Sequence, residues 1–104
     1  VVPADELVQI LMNPDPKARI LLGLKRRAEV YGEETPSGIR VSVSAADLAE
    51  EVGTAVSDAD EVIARLKRLK IVTEGAGGAL FVTDVGWLLE FLEFLEIARE
   101  FEVA

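Results

Sequence analysis

The sequence contains neither histidine nor cysteine. Their absence removes imidazole acid–base chemistry, thiol nucleophiles, disulfides and every metal site that depends on His or Cys ligands. Long hydrophobic runs are missing too, since even Trp87-Leu88-Leu89 is stopped by Glu90, well short of the roughly 20 apolar residues that cross a bilayer. Positive charge is in deficit, with 11 Lys+Arg against 19 Asp+Glu and a net charge of -8. That is the wrong overall sign for a module whose affinity rests on neutralising phosphates. The remaining carboxylates, serines and lysines fall where helix caps and solvated faces account for them, so the chain is expected to be no enzyme and to hold no cofactor. It is expected to be a soluble, cytoplasmic protein that does not enter membranes. It opens Val1-Val2-Pro3, without an initiator Met or a signal-peptide pattern, and so reads as a piece cut from a longer protein.

What is present is enough for one domain. The 104 residues are 50% apolar and 29% charged, with a mean hydropathy of +0.28, which places them in the globular class. Charge is segregated along the chain. Residues 17–46 and 62–73 are net positive, while 1–16, 47–61 and 74–104 are net negative. A basic band therefore survives in the middle of an acidic protein.

Local signals divide the chain into short elements. Pro3 opens a helical segment, Ala4 to Met12, with Leu7, Ile10 and Leu11 on one side, and the NPDP run at 13–16 stops it. Asp15 as N-cap and Pro16 at the first position start a helix in which Ile20, Leu21, Leu24, Ala28 and Tyr31 recur at helical spacing, ended by Gly32. EETPSG (33–38) reads as a loop leading to a half-buried strand, Ile39 to Val43. Ser44 with Asp47 forms a capping box for a helix ending at Val52, and Gly53 supplies a turn. Ser57 with Asp60 repeats the capping signal before a helix near 58–69, whose core face is Ala59, Val62, Ile63, Leu66 and Leu69. Ile71 to Thr73 and Ala79 to Val82 are strands joined by EGAGG (74–78), a hairpin. Asp84 then caps a long helix from about Val85 to Phe101.

This order predicts a mainly α fold with a small β-hairpin wing, a winged helix-turn-helix. The expected organisation is an N-terminal helical segment over 1–14, the end of a dimerising helix or a linker; the winged domain over 15–84; and an amphipathic C-terminal helix over 85–104. Within 46–66, Ala49 is small where two helices cross and Gly53, four residues on, takes the tight turn.

The stretch EVYGEETPSGIRVSVSAADLAEEVGT (29–54), together with GGALFVTD (77–84) as a wing ending, resembles the C-terminal domain of the Crp/Fnr family of bacterial transcription regulators, which are related to the cyclic-AMP receptor protein. The similarity runs from about Lys17 to Asp84. It implies a dimeric DNA-binding module that follows a sensory β-barrel and a long dimerising helix. In that family the helix after the turn begins with a Thr cap and presents Arg, Glu, Ser and Arg to the major groove. The corresponding residues here are Ala55, then Val56, Ser57, Asp60 and Glu61, so neither arginine is present. Asp58, Asp60 and Glu61 also crowd the start of that helix, where carboxylates accept from cytosine N4 but are repelled by phosphates.

The candidate nucleic-acid contacts are Ser57, Asp60, Glu61, Ala64, Arg65 and Arg68, with Lys25 and Arg26 as a second basic group. Each has a structural alternative. Acids at the start and bases at the end of the 58–69 helix suit its dipole, Glu61 with Arg65 makes an i,i+4 pair, and Lys25 to Arg27 can be a solvated face. Loop 74–78 carries no positive charge, and a plain hairpin turn competes with insertion into a minor groove.

On a helical wheel the C-terminal segment spreads its apolar residues over about 180°, wider than the stripe of little over 100° that one core contact needs. Trp87, Leu88, Phe91, Leu92, Phe94, Leu95 and Ala98 are therefore a candidate interface for a homodimer or partner protein, with Leu88, Phe91, Leu95 and Ala98 as the seam. The alternative is that residues 1–12 fold back over this helix. Two functions follow: a regulator's domain binding duplex DNA weakly or atypically, or a winged helix that has lost base readout and serves protein–protein interaction or dimerisation.

Overall fold

The structure, a computed structural model, describes residues 3–75 and 79–103, with side chains over 8–75 and 79–97. Five helices and four short strands follow one another: α1 (Pro3–Met12), α2 (Pro16–Tyr31), β1 (Glu33–Thr35), β2 (Gly38–Val41), α3 (Ala45–Val52), α4 (Val56–Arg68), β3 (Val72–Glu74), β4 (Leu80–Val82) and α5 (Val85–Val103). This is a winged helix-turn-helix, mainly α with a small antiparallel sheet.

Helix α2 begins where the sequence places it, because the Asp15 carboxylate accepts from the Lys17 amide at 3.0 Å and Pro16 needs no amide partner. Its Ile20, Leu21 and Leu24 are fully buried. Helices α1, α3, α4 and α5 all pack on it, as does β2. One glycine makes room for α3. A Cβ built on Gly23 would stand 2.6 Å from Val52 Cγ1 and 3.2 Å from Leu48 Cδ1 of α3, so the missing side chain is what seats α3 against α2.

Helix α3 starts at Ser44, whose hydroxyl accepts from the Asp47 amide at 3.1 Å. It ends at Gly53, which takes φ 69° and ψ 43°, the left-handed conformation that a residue without Cβ adopts at little cost. Three residues later the chain is helical again. Helix α4 begins earlier than the Ser57 capping signal predicts: Ala55 is the N-cap, with no side-chain cap, and Ser57 lies inside the first turn. The short turn after Gly53 fixes that start, so packing of Ala59, Val62, Ile63 and Leu66 against α2 and α3 takes precedence over the local cap.

The sheet order is β1-β2-β4-β3, antiparallel throughout. Val41, Val72, Leu80 and Val82 face the core, while Arg40 and Thr73 point outward. The expected loop at 33–38 is instead a hairpin. Thr35 Oγ1 accepts from the Ser37 amide and donates to the Gly38 carbonyl at 2.7 Å, and Gly38 takes φ 119°, so the Pro36-Ser37 turn returns the chain and β1 pairs with β2. The weak strand propensity of Glu33 and Glu34 hides this pairing, which the ready-made edge of β2 imposes.

Three residues assigned to core faces are not in the core. Tyr31 is exposed with its ring 5.9 Å from the Arg27 guanidinium, Leu69 is at the C-cap of α4 and 52% exposed, and Leu11 is exposed although Ile10 beside it is buried. Each lies near a helix end, where the buried face runs out before the periodicity does.

If the Gly23 contact limits how α2 and α3 pack, Gly23→Val destabilises the fold by about 1–3 kcal/mol despite removing a helix glycine. Urea denaturation measures this, and a rise in the midpoint would contradict it.

Candidate nucleic-acid interface

Helix α4 is the second helix of the helix-turn-helix, the element that enters the major groove in this motif. Its buried residues, Ala59, Val62, Ile63 and Leu66, define the inward side. At about 100° per residue, the opposite, outward line is Ser57, Ala64 and Arg68, all exposed. Asp60 and Lys67 fall on the flank toward the wing, and Glu61 and Arg65 on the flank toward α2 and α5.

Neighbours hold most of the flanking charges. Lys17 Nζ lies 3.2 Å from Glu61 Oε1, Lys67 Nζ pairs with Glu74 on β3, and the Arg65 guanidinium sits 5.8 Å from the centre of the Phe91 ring. The i,i+4 pair expected between Glu61 and Arg65 is not among the ion pairs of the described residues, because Lys17 takes Glu61 and Phe91 takes Arg65. Asp60 and Arg68 have no ion-pair partner among the described residues. The outward surface of α4 is thus a hydroxyl, a methyl, one carboxylate and one guanidinium. Such a set offers few donors for phosphate and few base-edge contacts.

The second basic group has a different place. Arg26 is only 9% exposed, and its Nη1 donates to Glu51 Oε1 at 3.1 Å, while Arg27 Nε donates to Glu51 Oε2 at 2.6 Å. One carboxylate on α3 clasps two consecutive arginines of α2. Arg26 therefore belongs to an interior clasp between helices and not to a phosphate-facing surface, and Lys25 is paired with Glu29 one turn away at 2.8 Å. No signal in the sequence links residue 51 with residues 26 and 27; the clasp exists only once α2 and α3 are packed. The same holds for Arg19, whose Nη1 donates to the Asn13 carbonyl at 2.7 Å and Nη2 to the Gly53 carbonyl at 3.3 Å, tying the α1–α2 elbow to the helix-turn-helix turn.

The wing has short strands, and its base is closed by the Gly75 amide donating to the Ala79 carbonyl at 2.8 Å. Residues 76–78, the tip of the expected EGAGG turn, lie outside the described residues. Neither a metal-ligating cluster of acidic residues nor a helix long and apolar enough to cross a membrane occurs among the described residues.

A search of family models and a search of curated proteins both return no match. Solved structures do match. A mutant of CooA from Carboxydothermus hydrogenoformans superposes with a TM-score of 0.72 at 21% identity, over 86% of this chain and 42% of that one. A CRP/FNR-family transcriptional regulator from Thermus thermophilus gives 0.69 at 23% identity, over 86% and 46%. Another CRP-family regulator of the same organism gives 0.63 at 22%, over 81% and 43%. The fold is that of the winged helix-turn-helix of Crp/Fnr-type regulators. The chain spans less than half the length of each of these structures.

The candidate interface on α5 is also rearranged. Leu88, Phe91 and Leu92 are buried, because α5 packs on α2, so two of the four expected seam residues, Leu88 and Phe91, are already consumed within the chain. The covering element is α2; α1, the expected alternative, packs on α2 and α3. Leu95 is half-buried beside them, and the Ala98 side chain lies outside the described residues. Trp87 and Phe94 remain at the surface, joined by Leu89 and Ile97, which the heptad spacing does not single out.

The two kinds of acidic side chain separate experimentally. Glu51→Ala leaves Arg26 without its buried partner and costs about 2–4 kcal/mol. Glu61→Ala removes only an exposed pair and changes stability by less than about 0.5 kcal/mol. Equal losses in chemical denaturation would contradict the assignment of the clasp.

Proposed function

We propose that this chain is a DNA-binding module of a transcription regulator acting in the cytoplasm, and that it binds duplex DNA weakly and with little base discrimination. The observation that carries the reading is the exposed outward line of α4, Ser57, Ala64 and Arg68, set after a left-handed Gly53 turn in a winged helix-turn-helix. An α-helix so presented fits a major groove. The weakness follows from charge. Asp58, Asp60 and Glu61 occupy the first two turns of α4, and Lys17 and Lys67 are engaged by Glu61 and Glu74. The cations left for phosphate on this side are Arg68 and Lys70, because Arg65 lies over the Phe91 ring of α5.

A second reading is favoured by one specific observation: large apolar side chains on α5, Trp87 and Phe94 among them, stay exposed after the core is complete. On that reading the winged helix serves association as well as, or in place of, base readout.

Titration of a fluorescent duplex with the domain tests the first reading. The affinity is expected to fall with salt at a log–log slope of about 2, one counterion for each of the two available cations, with nearly the same value for unrelated sequences. Val56→Arg with Glu61→Arg raises the affinity, most clearly at low salt. Nanomolar binding to one defined operator by the unaltered domain would contradict weak readout; no binding even at low salt would remove the DNA reading altogether.

A further inference from the structure

We infer that two copies of this chain associate through the outer flank of α5 in a parallel, two-fold arrangement, with Trp87 and Phe94 on the seam and Arg65 of each copy set against Glu90 and Glu93 of the other.

Going around α5 from the side that touches α4, the order of side chains is fixed by helix geometry and burial. Phe91 comes first, buried under the Arg65 guanidinium. Trp87 and Phe94 follow, 42% and 55% exposed, and one heptad apart so that they lie on one line. Glu90 and Ile97 come next, then Glu93, all exposed. On the α4 side the apolar surface continues into an open cleft of about 400 Å³ lined by Leu69, Ile71, Trp87, Glu90 and Phe91. The patch thus has a basic edge on α4, an apolar centre, and an acidic edge on α5. No Lys or Arg occurs from residue 71 to 98, so nothing on α5 neutralises that acidic edge before Arg99.

A surface graded in this way is complementary to itself. In a two-fold contact the symmetry axis lies in the plane of the interface, and its direction decides which edges meet. An axis across α5 makes the helices antiparallel and sets basic edge on basic edge, acidic on acidic. An axis along α5 keeps the two helices parallel, places Trp87 on Trp87 and Phe94 on Phe94, and brings each basic edge onto the partner's acidic edge. The level matches as well. Arg65 lies over Phe91, so under the parallel arrangement it arrives at the height of Glu90 and Glu93 of the second copy. Charge therefore selects the parallel pair. The half-exposed Trp87, Phe94, Leu69 and Ile97 supply the apolar area, which is small beside a standard interface of about 800 Å² per partner. The association is accordingly expected to be reversible and dependent on concentration and salt.

The inference does not rest on DNA binding, and its test contains no DNA. Trp87 is the only tryptophan, so its emission reports directly on the seam. In sedimentation from about 1 μM to about 500 μM, the mass is expected to rise from 11.3 kDa toward twice that value, with a parallel blue shift of the emission. Arg65→Glu alone and the Glu90→Lys, Glu93→Lys pair alone should each stay monomeric, because like charges then face each other at both contacts. Mixed in equal amounts they should form a mixed dimer, because both contacts are then of opposite sign. These are surface positions, and circular dichroism with thermal melts verifies that each variant is folded. A wild type that stays monomeric throughout overturns the inference. So does a dimer untouched by the charge changes, or a mixture that does not recover. If a monomeric wild type shifts its Trp87 emission only on adding a helical Leu/Lys peptide, the self-association is overturned and the face belongs to a basic partner.

Discussion

Helix α2 is the constraint on which the rest of the structure depends. Every other helix rests on it, and its Ile20, Leu21 and Leu24 are sealed from solvent by contacts that come from all along the chain. Full burial of such a side chain is worth about 1.5–3 kcal/mol. The helix must therefore be apolar over much of its surface, and the few polar residues on its buried sides need partners. Arg26 and Arg27 find one in Glu51, and Arg19 finds two backbone carbonyls. These polar contacts fix α3 and the turn at Gly53 relative to α2, and so set where α4 stands. The orientation of α4 is thus set by the packing of its own apolar face on α2 and α3 together with the clasps behind it.

That arrangement leaves α4 with an unusual division of labour. Its acidic start and basic end satisfy the helix dipole, its flanking charges reach sideways to α2, β3 and α5, and what remains outward is sparse. A surface that offers a hydroxyl, a methyl, one carboxylate and one arginine to a groove has little with which to tell one sequence from another. The same economy explains why α5 matters. The long helix spends one face on α2, and Trp87 and Phe94 beside that face stay exposed. On the proposed reading, weak individual contacts to DNA would be offset by presentation in pairs, because two linked binding events raise avidity without any new contact.

Much of this architecture is legible in the sequence, for identifiable reasons. Asp15-Pro16, Ser44-Asp47, Gly53 and Asp84 are local signals, and local signals mark helix boundaries well because the capping hydrogen bond forms within one turn. The hairpin at 33–38 was not legible, because Glu33 and Glu34 pair only since β2 offers them an edge. Nor was the fate of Ser57, whose capping signal is overridden by the start of α4 at Val56. On α5 the periodicity gives an apolar arc wider than one contact needs, yet it cannot say which part of the arc meets α2. Leu88, Phe91 and Leu92 go inward, and Trp87 and Phe94 stay out. The charge pairs of the site were the least legible part, since Lys17 with Glu61 and Arg26 with Glu51 join residues 44 and 25 positions apart.

The most direct measurement of the central claim is a nitrogen-15 NMR titration of the domain with a short duplex at low salt. Fast-exchange shifts are expected to cluster on the amides of Ser57, Ala64 and Arg68, with the α2–α3 clasp and the outer flank of α5 unmoved. Shifts that centre on α5, or slow exchange with a single preferred duplex, would contradict it.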